Sequence, residues 1–365
     1  MTRMPQARTS FAALLALAAW LMPFAGQPAL AGGMTAGIGM NGAAGAAGAA
    51  GSTGSTGSNE ADGLRMLARA HSAAQSLSYS GTYVHQRGPD VRSLRIAHQR
   101  TTSGTLEKLE SLDGPPSETV RRGERLVTYL PQQRRILIQD RESGLAFPGV
   151  RALDAQRLSE HYRLRWLGDE QVAGRPSSAW ALEPRDGLRY GYRFWADKAS
   201  GLLLRAQTIS EKAEVVEQVA FSQLTPGPLP ASRLTTGVRD TRGWRTEDAS
   251  GRPADAATVA AWRVGWLPPG FEPVGAWGRK LAPVAHRGDG EREVLQLLYS
   301  DGLAGLSIFI EPWTVERSTR PLQLGALNMV GKRHGKFWLT IIGEVPMLVV
   351  RQIADAIELK ENARR

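Results

Sequence analysis

Six histidines, His71, His85, His98, His161, His286 and His334, are the side chains of this 365-residue sequence best suited to hold a metal or move a proton near neutral pH. Their spacing argues against both uses. No two flank a glutamate at the four-residue interval of a zinc-binding helix. His85 and His98 can face each other across a hairpin, but two ligands with no cysteine and no adjacent carboxylate motif fall short of the usual three or four. No G-x-S-x-G elbow offers a nucleophile. The carboxylates are scattered, and nothing singles out an acid/base pair.

Two glycine-rich strings imitate nucleotide sites. Gly37-Ile38-Gly39-Met40-Asn41-Gly42 fits G-x-G-x-x-G, yet neither a strand before it nor a helix after it is in the pattern. Residues 325–332 approach a phosphate loop with one residue too many, and Arg333 stands where a hydroxyl is required. The sequence therefore predicts no catalytic residue, no cofactor and no metal. Function must lie in surfaces that bind.

Those surfaces need elements to carry them. Residues 1–31 read as an export signal: Arg3 and Arg8 start it, an apolar run follows over 11–25, and Ala29-Leu30-Ala31 supplies a small-x-small cleavage site. The run is shorter than the roughly 20 residues of a membrane-spanning helix, so the expected location is the periplasm. A cysteine count of zero fits an oxidising compartment and removes disulfides as a source of stability. Residues 32–58 are Gly, Ala, Ser and Thr with little to bury, and read as a flexible tether. Formal charge is +10, mostly through arginine. Two explanations fit: solvated faces in an arginine-preferring composition, or bidentate contacts to acidic peptides and anionic lipid head groups. Nucleic acid is an unsuitable partner for an exported chain.

The first folded unit is predicted over 59–224. Leu64, Leu67, Ala68, Ala70, Ala74 and Leu77 repeat at helical spacing, with Ser58 or Asn59 as cap. Strands are predicted over 79–86, 94–98, 125–130, 134–139, 162–167, 178–183, 189–196, 202–210 and 214–224, with a helix over 150–161. Short turns between strands predict an antiparallel sheet, curved because both faces have something to cover. Residues 225–260 are polar and turn-rich and read as a linker. The second unit, 261–360, has a hairpin about Ser300-Asp301-Gly302, further strands over 326–330 and 337–342, and a last helix from Pro346 with a Val349, Ile353, Ile357 stripe. The fold class is α+β in two domains.

Tyr83, Trp166, Tyr190, Tyr192, Phe194 and Trp195 concentrate in the first sheet. They fit ordinary core packing, or a cavity lined for an acyl chain or an apolar peptide. Arg121, Arg122, Arg134 and Arg135 are candidates for a basic rim to such a cavity, or solvated strand edges. Trp266, Tyr299 and Asp301 are candidates for a partner surface on the second domain.

Several separated strings follow one order along the chain. They are Tyr79-Ser80-Gly81-Thr82-Tyr83-Val84-His85-Gln86, Asp113-Gly114-Pro115, Arg185-Asp186-Gly187-Leu188-Arg189-Tyr190 and Trp195-Ala196-Asp197, then Trp262-Arg263-Val264-Gly265-Trp266-Leu267-Pro268-Pro269-Gly270-Phe271, Leu298-Tyr299-Ser300-Asp301-Gly302-Leu303 and Ile341-Ile342-Gly343-Glu344-Val345-Pro346. In these the sequence resembles the RseB/MucB family of periplasmic negative regulators of the sigma-E response. The resemblance implies an N-terminal domain like the LolA/LolB half-barrels, a curved antiparallel sheet over helices, and a smaller α+β C-terminal domain. It also implies a partner, the periplasmic part of a membrane-anchored anti-sigma factor of the RseA/MucA type, which is shielded from regulated proteolysis. Release is expected on sensing lipopolysaccharide or lipoprotein acyl chains. The alternative is a periplasmic carrier of lipid or lipoprotein acyl chains. Self-association into a homo-oligomer is compatible with either. The long Gly/Ala/Ser tether departs from the simplest family pattern.

Overall fold

A computed structural model describes residues 56–102, 104–140, 155–281, 292–313 and 319–360. The export signal and most of the tether lie outside these residues, as does the first half of the predicted helix over 150–161. Among the described residues no helix is long and apolar enough to cross a membrane.

The helix α1 (Thr56–Ser76) precedes a run of eleven strands: β1 (Tyr79–Arg87), β2 (Asp90–Thr101), β3 (Gly104–Ser111), β4 (Glu118–Arg122), β5 (Arg125–Leu130), β6 (Arg135–Asp140), β7 (Tyr162–Val172), β8 (Arg175–Pro184), β9 (Gly191–Asp197), β10 (Leu203–Ile209) and β11 (Val215–Pro226). A short helix, α2 (Ala155–His161), enters β7. These strands and β12 (Arg245–Asp248) make one open sheet in the order β12-β6-β5-β4-β3-β2-β1-β11-β10-β9-β8-β7. Neighbours run antiparallel except β12, which lies parallel to β6. Register shifts in β1, β7, β10 and β11 mark bulges, the local devices that curve a sheet. Leu67, Ala70, Ala73 and Ala74 of α1 press into two cores on this sheet, one about Tyr162, Leu164, Leu182, Tyr192 and Phe194, the other about Tyr79, Tyr83, Ile96, Leu204 and Phe221. Alanines at the contact let the helix backbone approach closely, so α1 covers the sheet as the sequence periodicity predicts.

The second domain is a seven-stranded sheet in the order β13-β15-β16-β17-β20-β19-β18. Its strands are β13 (Arg252–Pro253), β15 (Glu272–Leu281), β16 (Arg292–Ser300), β17 (Gly305–Pro312), β18 (Leu322–Leu324), β19 (Leu327–His334) and β20 (Phe337–Gly343). A two-stranded pair, β14 (Trp262–Val264) with β21 (Ile357–Leu359), and the helices α3 (Ala256–Ala260) and α4 (Met347–Asp355) complete it. Val349, Val350 and Ile353 of α4 pack on Leu306, Ile308, Ile310, Leu339 and Ile341. Ile357 joins the same core from β21 rather than from the helix, because the chain leaves α4 after Asp355.

Residues 225–260, predicted as a linker, are held at both ends. β12 extends the first sheet through β6, and β13 pairs with β15 of the second.

Candidate functional site

Buried polar contacts join the two domains. Arg189 lies in the loop between β8 and β9, and its side chain is fully buried. Its Nε donates to both oxygens of Asp186 (3.1 and 3.2 Å), Nη1 to Asp301 Oδ2 (2.9 Å) and Nη2 to the Pro269 carbonyl (2.6 Å). The rings of Tyr162 and Phe271 lie 5.6 and 5.9 Å from the guanidinium carbon. Burial works against the charge, but Asp186, Asp301 and Tyr162 outweigh it, and Arg189 titrates above its ordinary value. One residue of the first domain thus grips two loops of the second.

Asp301 is built for this. Its Oδ1 accepts from the backbone N–H groups of Leu303 (3.0 Å) and Ala304 (2.8 Å), fixing the β16–β17 turn. Oδ2 is left to accept from Arg189 and from the Tyr162 hydroxyl (3.1 Å). Tyr190 accepts from Asn328 Nδ2 across the same seam (2.8 Å), and that nitrogen also donates to the Val345 carbonyl (2.8 Å).

A second set lies where β1 and β11 meet the β18–β19 turn. Glu217 Oε1 accepts from Arg87 Nε (3.1 Å) and Nη2 (2.7 Å), and His85 Nε2 sits 2.7 Å away. Burial opposes the Glu217 charge, yet the bonds from His85 and Arg87 hold its carboxyl at about 2. Gly325, at φ +59°, passes directly over Arg87. Glu344, in the turn between β20 and α4, faces the opposite situation. Burial first, then the charge of Glu217, push it up to about 7 against the pull of Arg87. Three buried atoms of this seam, Tyr192 Oη, Glu217 Oε2 and Asn328 Oδ1, have no hydrogen-bond partner among the described residues.

The aromatic candidates divide. Tyr83 is fully buried against Phe221, with ring centroids 5.8 Å apart. Tyr192 and Phe194 stack at 5.9 Å on one face of β9, and alternation sends Trp195 to the other, under the Arg205 guanidinium at 4.9 Å. Tyr190 belongs to the seam. Trp166 is 49% exposed, because β7 is the sheet edge and a bulge turns the strand there. These six do not line one space.

Nor do the four arginines form one rim. Arg122 pairs with Arg125 at one end of β5, whereas Arg135 pairs with Leu130 at the other, roughly 17 Å along the strand. Arg121 donates to the Gly123 carbonyl (2.8 Å), Arg135 pairs with Glu247, and Arg134 takes a left-handed turn conformation. Trp266 and Tyr299 pack against the second domain's own core, and Asp301 is sealed in the seam. His85 and His98 do not face each other: the register sets His85 opposite Arg92 and His98 opposite Tyr79, and each imidazole instead meets a glutamate. Among the described residues no group of three His, Cys, Asp or Glu could hold a metal. Arg189 and Glu344 stand inside strings that carry the family resemblance, but nothing local in the sequence marks either as buried.

Comparison with known proteins gives one result over both domains. A family model of the MucB/RseB N-terminal domain matches residues 62–238, and one of the MucB/RseB C-terminal domain matches 256–358. The sigma factor AlgU regulatory protein MucB of Pseudomonas aeruginosa is 32% identical over 313 residues, 84% of this chain and 93% of that protein. The sigma-E factor regulatory protein RseB of Escherichia coli K12 is 26% identical, over 80% of this chain and 89% of its own. The solved complex of Pseudomonas aeruginosa MucA/MucB superposes with a TM-score of 0.63 at 30% identity, covering 82% of this chain and 99% of the matched one.

Proposed function

This chain belongs to the MucB/RseB family, and from that membership we propose that it regulates a sigma factor by binding the periplasmic part of a membrane-anchored anti-sigma factor. The observation that carries this is similarity across both domains to a protein solved with MucA. The action we propose is steric. The bound segment is withheld from regulated proteolysis in the periplasm, and lipid or lipoprotein acyl chains weaken the hold. No bond is made or broken by the protein itself.

In this reading the arrangement of the two domains, which Arg189 holds through Asp301 and the Pro269 carbonyl, tunes the binding surface. A ligand that favours a different arrangement then alters affinity for the partner, whereas one indifferent to the arrangement shifts nothing. The carrier reading draws less support, since Tyr83, Tyr192 and Phe194 are buried against other side chains of the same domain.

The test mixes purified protein with the periplasmic part of its cognate anti-sigma factor and the protease that first cleaves it. Co-elution and slowed cleavage are expected. Separate elution with undiminished cleavage would end this reading.

A further inference from the structure

The end of the second sheet opposite the Asp301 and Gly325 turns gathers cations and aromatic rings. β19 runs from Asn328, which bonds Tyr190 at the seam, to His334, a distance of roughly 20 Å. There the β19–β20 turn meets the end of β17: Pro312 lies opposite Phe337, and the Trp313 N–H donates to the Lys336 carbonyl (2.9 Å). The Arg333 guanidinium carbon stands 3.5 Å from the centre of the Trp313 ring, and Lys336 Nζ stands 5.7 Å from that of Phe337. Trp262 packs on His334 and Phe337, with ring centroids 5.9 and 5.0 Å away.

Most of the charge here is not spent on carboxylates. Residues 331–337 contain Lys332, Arg333 and Lys336 and no acid. Lys332 pairs with Asp355 of α4, whereas neither Arg333 nor Lys336 has an ion-pair partner among the described residues. Both are exposed, and Trp313 is partly so. Arg333 Nε donates to the Gly335 carbonyl (3.1 Å), which helps hold the guanidinium over the indole. A hairpin tip is convex. It has no walls to enclose a peptide side chain, but it can lie against a flat surface. A lipid bilayer is flat, and its head-group level suits both components: tryptophan settles where an apolar layer meets water, and arginine and lysine are drawn to anionic lipid.

We propose that Trp313, Arg333 and Lys336 form a docking surface for the anionic head groups of a phospholipid bilayer. Each cation near an anionic surface raises partitioning about fivefold, so the pair contributes about 25-fold. Contact of that strength is reversible and falls as salt screens the charges. It would turn the β19–β20 end of the second sheet toward the membrane and leave the Asp301 and Gly325 turns at the far end. The docking goes beyond the partner binding proposed above and can be read without any partner.

The test floats the whole protein with vesicles of phosphatidylglycerol and phosphatidylethanolamine, and with neutral phosphatidylcholine vesicles whose binding is subtracted. A preference for the anionic vesicles that weakens with salt is expected. The double variant Arg333→Gln, Lys336→Gln should lower it about 25-fold. Trp313→Ala should lower the part of the binding that high salt leaves. A control, Arg122→Gln with Arg125→Gln, removes the same charge from exposed positions of the first domain and should change little. No preference for anionic vesicles overturns the proposal. So does an equal loss in the control, which would assign the effect to net charge. So does a double variant that keeps vesicle binding and loses co-elution with the anti-sigma factor, which would make the tip a protein interface. Should Trp313→Ala not fold, the double variant, whose changes are at exposed positions, decides alone. Co-elution measured on the same double variant should stay intact, which separates failure of this docking from failure of the regulatory reading.

Discussion

Replacing Arg189 by methionine keeps most of the side-chain length and removes the charge. Four hydrogen bonds disappear with it: two to Asp186, one to Asp301 and one to the Pro269 carbonyl. Asp301 has 0% side-chain exposure. Its Oδ2 is then left with the Tyr162 hydroxyl alone, a neutral donor for a buried negative charge. Breaking one side of a fully buried ion pair costs about 3–5 kcal/mol, and Asp186, which is partly exposed, adds little because water replaces its bond. The loss should fall on the seam rather than on either domain, since both cores are built from other residues. A double-mutant cycle with Asp301→Asn separates the pair from everything else. Asp301→Asn keeps Oδ1 for the turn and abolishes the charge. In urea unfolding each single substitution should lose about 3 kcal/mol, and the double should lose about 2 kcal/mol less than their sum. Losses that add to within about 0.5 kcal/mol would refute the claim that these two residues join the domains.

Three further outcomes follow from the same geometry. Tyr162→Phe should cost about 1 kcal/mol or more in thermal melts by removing a donor from Asp301, whereas Tyr192→Phe, whose hydroxyl has no partner among the described residues, should be neutral or stabilising. Gly325→Ala places a Cβ 2.6 Å from Arg87 Cγ and 3.0 Å from the Val216 carbonyl at φ +59°, and should cost more than Gly335→Ala, which has the same backbone strain at φ +58° and open space around it. Glu217 contributes stability that is complete above pH 4.5, its unfolded value, and is lost as pH falls toward its folded value of about 2; acid unfolding followed by tryptophan fluorescence should therefore shift to higher pH in Glu217→Gln.

Much of the fold was legible because its strands alternate strongly. β5 matches its predicted limits, and β1 and β20 extend one residue beyond theirs, since aromatic and β-branched residues recur there at period two. β3 was not: Gly104–Ser111 carries Glu107, Lys108 and Glu110 and becomes a strand through its partners on both sides. β15 was hidden by two glycines and a proline. The seam was harder still. Arg189, Glu217 and Glu344 are charged residues in turns and strands, and in isolation such residues read as solvated. Arg189 finds Asp301 and the Pro269 carbonyl only where the two domains meet, and Asp301 lies 112 residues away in sequence. The aromatic residues drew attention for their type, yet most of them fill cores.

The connection between the domains sets how they can move. β12 ends at Asp248 and is bonded into one sheet, and β13 begins at Arg252 and is bonded into the other. Between them, Ala249 donates to the Ile138 carbonyl (2.8 Å) while its own carbonyl accepts from Arg279 (2.6 Å). Three residues span roughly 10 Å at full stretch. Any separation of the seam would therefore be a swing about a short pivot, with its two halves kept at high local concentration.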